Sequence, residues 1–122
     1  MPDSKEKIIS LLKVYENVDM NAVAVTNLFT VPEGKTCIPT HAVILADDDM
    51  SSASFGFGFD AGGVDCLASA IHADLDGATK YSILKMEDAG VRGAAGDIFK
   101  CGVTIAHGGA VTADVYIFGF LL

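Results

Sequence analysis

Tryptophan is absent from this sequence, basic residues are few, and no apolar run is long enough to cross a membrane. Each shortage removes a class of function. Eight lysines and arginines stand against sixteen acidic residues, giving a formal net charge of −8 and a pI near 4.5. Such a chain repels a phosphate backbone, so no nucleic-acid partner is expected. Without tryptophan, a sugar-binding surface lacks its best stacking platform. The stretch Ile8-Ile9-Ser10-Leu11-Leu12 is too short for a span, and no small-residue cleavage site marks a signal peptide. The expectation is a protein made in the cytoplasm, with no membrane partner. Cysteine is scarce as well. Cys37, Cys66 and Cys101 are an odd set, each in a strand-like run and none in C-x-x-C spacing, which predicts buried thiols rather than disulfides or a zinc site.

Catalytic signatures are missing in the same way. There is no G-x-S-x-G and no H-x-H pair. The glycines of Gly56-x-Gly58-x-x-x-Gly62 are wrongly spaced for a dinucleotide loop and lie inside a strand-like run with no amphipathic helix after it. His41, His72 and His107 fall on three separate elements without local ligand spacing. Asp47-x-Asp49-x-Ser51 imitates the opening of a calcium loop, but Ser52 stands where the sixth-position glycine is needed and Gly58 replaces the closing glutamate. Asp74-x-Asp76-Gly77 is shorter still, and solvated acidic turns are the simpler reading of both. The sequence therefore predicts no catalytic residue, no metal site and no cofactor.

What is present is apolar alternation at period two, in a chain that is 51% hydrophobic with 13 glycines and 3 prolines among 122 residues. That length makes one domain able to bury about two-thirds of its unfolded surface. Met20 to Val31 reads as a strand, stopped by Pro32-Glu33-Gly34-Lys35. Thr36 to Ala46 follows, with Cys37, Val43 and Leu45 on one side and Ile38, Ala42 and Ile44 on the other, which predicts a central strand covered on both faces. Phe55, Phe57 and Phe59 line one face of the next strand while Gly56 and Gly58 strip the other, inviting close approach of another backbone. Val64 to His72 and Lys80 to Met86 are further strands, and Glu87 to Gly96 is a Gly- and Ala-rich loop. Asp97 to Ala106 and Ala110 to Leu122, joined by His107-Gly108-Gly109, predict a long hairpin. Its second strand puts Val111, Ala113, Val115, Ile117 and Leu121 on one face, and Tyr116, Phe118 and Phe120 on the other. The fold class predicted is all-β: a two-sheet antiparallel sandwich of jelly-roll-like type with about eight strands.

Before that domain, residues 1–13 predict an N-terminal arm or short helix, with the sandwich over 14–122. Asp3 to Glu6 has capping-box spacing, and Ile8, Ile9, Leu11 and Leu12 fit one side of a helix. Alternation of Ile9, Leu11, Lys13 and Tyr15 against Ile8, Ser10, Leu12 and Val14 fits equally well an arm that pairs with a sheet edge.

The stretch Asn21 to Pro39, N-A-V-A-V-T-N-L-F-T-V-P-E-G-K-T-C-I-P, with Thr40-His41-Ala42-Val43-Ile44 after it, resembles small structural proteins of tailed bacteriophages and prophages. Ala95-Gly96-Asp97-Ile98-Phe99 and the closing Asp114-Val115-Tyr116-Ile117-Phe118-Gly119-Phe120-Leu121 resemble the same group. The likeness runs from about Val14 onward, and its motifs are turn and core patterns. It implies a non-enzymatic virion component of jelly-roll type, commonly trimeric: a decoration or cement protein on the head, or a tail-associated protein. Partners implied are further copies of the chain and the major capsid protein or another virion protein. The tail-associated alternative would recognise host-surface carbohydrate through the loops at 47–52, 60–63 and 74–79. The two-faced apolar strand adds a location, since aromatic surface on a second face has to be covered by something. Candidate interface residues are Tyr116, Phe118 and Phe120, or Phe55, Phe57 and Phe59, with Ile8, Leu11 and Leu12 of the arm.

Overall fold

A computed structural model of the chain describes residues 8–87 and 91–122. Eight strands form: β1 (Ser10–Asp19), β2 (Val25–Thr30), β3 (Cys37–Ala46), β4 (Ser54–Gly58), β5 (Leu67–Ile71), β6 (Tyr81–Lys85), β7 (Ile98–Ile105) and β8 (Thr112–Leu121). They make two four-stranded antiparallel sheets, one ordered β1-β8-β3-β6 and the other β2-β7-β4-β5. The partnerships are nested: β1 with β8, β2 with β7, β3 with β6, β4 with β5. A chain folded as one long hairpin with its tip between β4 and β5, then rolled so that its two halves face each other, has this order. It is a jelly-roll-like sandwich.

The core lies between the sheets and is filled by alternate residues of each strand. Val18, Ala42, Ile44, Leu84, Ala113, Val115 and Ile117 enter it from the first sheet, and Leu28, Phe55, Phe57, Leu67, Phe99, Cys101 and Val103 from the second. Loop residues complete it. Met50 and Leu75 are buried and joined by a 2.9 Å hydrogen bond from Met50 N to Leu75 O, so two loops that read as polar each drop one apolar plug into the end of the sandwich.

Three sequence expectations change here. The closing pair of strands is not a hairpin, because β7 pairs with β2 and β4 while β8 pairs with β1 and β3, in the other sheet. Segment 106–111 instead crosses the end of the sandwich, with Gly108 at φ 95° and His107 N donating to Met20 O. A Gly-Gly step permits a tight turn, but it serves a crossing just as well. Second, β3 carries a bulge between Pro39 and His41. One extra residue inverts the alternation, so Cys37 points inward together with Ala42 and Ile44, while Ile38, Val43 and Leu45 share the outer side. The strand is central, as expected, but its outer side is only half-buried. Third, β1 begins at Ser10, so the division between residues 13 and 14 does not fall on an element boundary. Residues 10–13 pair with β8, and residues 1–7, including the capping-box spacing, lie outside the described residues.

Sheet β2-β7-β4-β5 covers part of its own outer face. A Cβ on Gly102 would overlap the carbonyl oxygen of Gly62, and one on Gly58 would overlap the Asp65 side chain and backbone. The stripped glycine face is therefore a floor on which loop 59–66 lies. Asp65 fastens the loop by accepting from Phe59 N at 2.7 Å, and Lys100 Nζ donates to Phe59 O at 2.8 Å. Gly102→Ala is expected to destabilise the fold by about 3 kcal/mol, because backbone, not a flexible side chain, occupies the space. Gly62→Ala, whose added carbon meets only Val64 Cγ2 at 3.8 Å, should stay within about 0.5 kcal/mol of the parent. Urea denaturation midpoints of the two variants test the pair.

Candidate assembly surface

Among the described residues, nothing covers the outer face of the other sheet. Register places Leu11, Phe118, His41 and Lys85 in one row across β1, β8, β3 and β6. Val14, Tyr116, Val43 and Ile83 form the next row, and Asp114, Leu45 and Tyr81 a third over three strands. Phe120 and Ile38 continue the surface at one end. Ile83 and Tyr81 are each 62% exposed and Leu11 49%. Within the face, His41 stacks flat on Phe118, ring centroids 4.7 Å apart and planes 4° from parallel. Thr40 Oγ1 lies 3.0 Å from His41 Nδ1 and donates to Phe118 O at 3.2 Å, which pins the stack to the β8 backbone. An antiparallel sheet with a solvated face ordinarily alternates apolar-in with polar-out. This one is apolar on both sides.

Of the candidate interface residues, Tyr116, Phe118 and Phe120 lie half-buried on this face, and Leu11 joins them opposite Phe118. Leu12 does not, since the bulge between Leu11 and Lys13 turns it toward the core. Ile8 is exposed just before β1. The second candidate set is corrected. Phe55 and Phe57 have no exposed surface and are spent inside the sandwich. Their rings meet edge to face at 5.9 Å, Phe57 stacks on Phe99 at 5.9 Å, and Phe59 meets Phe99 at 5.2 Å. Sequence reasoning missed Val14, Val43, Leu45, Tyr81 and Ile83. The alternation Tyr81-x-Ile83-x-Lys85 was a usable signal, but which strand lies beside which is invisible in one sequence.

Opposite, the outer side of the glycine-floored sheet is polar where the loop does not reach: Ser54, Ser69 and Thr104 bond hydroxyl to hydroxyl across β4, β5 and β7. Loops β1–β2, β3–β4, β5–β6 and β7–β8 gather at one end of the sandwich. With Asp19 at the end of β1, they bring together Asp47, Asp48, Asp49, Asp74 and Asp76, against Lys80, which lies 3.7 Å from Asp76. Several of these carboxylates serve the fold. Asp47 accepts from Thr112 N and Oγ1, at 3.0 and 2.9 Å, and Asp49 from Ser51 N and Oγ, at 2.9 and 2.7 Å. The Ser51 bonds hold the Asp49 carboxyl below its ordinary range, helped by nearby His107. His107 itself is clasped by Ser52, whose Oγ lies 2.6 Å from Nδ1 and 3.0 Å from the carbonyl oxygen.

Among the described residues, no three His, Cys, Asp or Glu side chains converge as metal ligands would. Burial pushes the Cys37 thiol up to about 11 and Cys101 to about 12. Both stay protonated and unreactive at neutral pH. His72 packs against Phe55 at 4.7 Å, and its buried Nε2 has no hydrogen-bond partner among the described residues.

No protein-family model and no curated protein sequence matches this chain. Its fold does match solved structures. A chain of the acidic stable capsid structure of Helicobacter pylori bacteriophage KHP30 is similar over 94% of this chain and 95% of that one, with TM-score 0.57 and 13% identity. A chain of the cyanophage Pam1 capsid asymmetric unit is similar over 94% of this chain and 84% of that one, with TM-score 0.54 and 13% identity. At that identity the likeness is one of fold, and it takes in nearly the whole length.

Two measurements follow from the placement of these side chains. Phe57→Ala should cost about 3–5 kcal/mol, against less than about 1.5 kcal/mol for Phe120→Ala, when unfolding is followed by chemical denaturation of the isolated chain. For His72, burial against Phe55 lowers the imidazole below its ordinary value of about 6.5, a shift that Asp74 and a backbone bond to Phe55 partly oppose. The folded state disfavours the imidazolium. Stability is therefore complete above the unfolded value and declines as pH falls below about 6.5. The thermal midpoint should drop between pH 7.5 and pH 5.5, and His72→Gln should flatten that part of the profile.

Proposed function

We propose that this chain is a non-enzymatic structural protein of a bacteriophage or prophage particle. On this reading it is a decoration or cement protein that assembles as a homo-oligomer, a trimer, and binds the head shell through the major capsid protein. It is made in the bacterial host cytoplasm and resides in the virion. The observation that carries the reading is the match of fold over 94% of the chain to chains from two phage capsid structures. The uncovered apolar face supports it physically, since adhesion needs a surface rather than a pocket. The two matches favour the head over the tail-associated, carbohydrate-recognising alternative, because both are chains of capsid structures.

The test is the content of purified particles. Phage particles induced from the encoding strain and banded on a density gradient should contain the chain in stoichiometric amount with the major capsid protein. Mild chaotrope should strip it from them and leave shells that break at lower temperature. Particles without the chain would overturn the reading.

A further inference from the structure

We infer that the outer face of sheet β1-β8-β3-β6 is the seam on which a second copy of this chain sits. This rests on the homo-oligomeric reading above and locates its contact.

Routes through strand edges are obstructed. Edge strand β1 is broken by two bulges, holds Asn17 at φ 61° and carries exposed Lys13. Edge strand β2 has six residues and a bulge, and β5 and β6 have five each, β6 being preceded by Lys80 and ending on Lys85. Short, bulged and lysine-flanked edges resist the addition of another strand. The outer face of the second sheet is taken up by loop 59–66 and the Ser54, Ser69 and Thr104 hydroxyls.

Size and charge then select the occupant. The thirteen positions of the rows on this face, on strands about 4.8 Å apart and rows about 6.8 Å apart, span roughly 420 Å² in plane. That is about half of the roughly 800 Å² per partner of a standard protein interface, the size of its apolar centre. In the three registered rows the charged side chains are Lys85 and Asp114, one of each sign, and Asp114 Oδ1 already accepts from Asn17 N. Two chains of net charge −8 repel wherever their acidic surfaces meet, and a neutral apolar face is where that repulsion is least. A basic partner would find almost nothing here to pair with. A second copy, itself apolar at this face, loses nothing by the lack.

Light scattering coupled to size exclusion, with far-UV circular dichroism as the check on folding, tests the seam on wild type, Val43→Lys, Ile83→Lys and Ile105→Lys. Val43 lies on the inner strand β3 and Ile83 beside it on edge strand β6, exposed enough that its variant should fold whatever Val43→Lys does. Ile105, 56% exposed on the other sheet, is the control. The expected result is an oligomeric wild type, at least about 100-fold weaker self-association in the folded face variants, and a control within about threefold of wild type. An oligomer indifferent to both face variants overturns the seam while leaving the oligomeric reading intact. A monomeric wild type at about 100 µM overturns the seam and the oligomeric part of that reading together, and particle content then decides the virion role on its own.

Discussion

Strand β8 pairs along most of its length with β1 on one side and β3 on the other, and the remaining architecture is arranged around that double pairing. It contributes Ala113, Val115 and Ile117 to the core, and from alternate positions Tyr116, Phe118 and Phe120 to the outer surface. A strand with period two cannot bury one set without presenting the other. The hydrogen bonds to β1 and β3 fix the register, and the register assembles Leu11, Val14, Val43, Leu45, Tyr81 and Ile83 around the β8 aromatics. The apolar face is thus a direct product of the pairing that holds the sheet together.

The two sheets meet the same problem differently. In β2-β7-β4-β5, glycines at 58 and 102 remove side chains from the outer side and the chain lays its own backbone there, fastened by Asp65 and Lys100. That surface is settled within one molecule. Among the described residues the β1-β8-β3-β6 sheet has no covering loop and no glycine floor, and its outer side is built of large apolar groups. Polar chemistry is correspondingly local: the loop carboxylates hold turns, the thiols are buried, and the one imidazole on the apolar face is stacked on a phenylalanine.

Much of this was legible in the sequence because it follows from alternation within single strands. The all-β class, the strand positions and the two-faced character of 112–121 were all local patterns. So was the glycine floor, where Phe-Gly-Phe-Gly announced that another backbone comes close. What failed depended on partners distant in the chain. The 97–122 region has the signature of a hairpin, yet the strands part into different sheets because β2 and β4 compete successfully for β7 while β1 and β3 take β8. The bulge at Pro39–His41 was hidden for a related reason, since nothing in Cys37 to Ala46 marks where the alternation slips. Phe55 and Phe57 became core rather than surface because the glycines opposite them are the covered side. The apolar face was glimpsed through the β8 aromatics and Leu11 of β1, its other members becoming neighbours by register alone.

The nested order also sets a timetable. β8 is the last of the eight strands to be synthesised, yet it lies inside its sheet, between the first strand and the third. Until it emerges, β1 and β3 have no common partner and the β1-β8-β3-β6 sheet cannot close. The partnership of β1 with β8 joins segments roughly a hundred residues apart, the kind of contact that folds slowly because a large loop must close first. The rows that join Leu11 and Val14 to Val43 and Ile83 run through β8, so the nascent chain carries no complete apolar face until that strand has emerged.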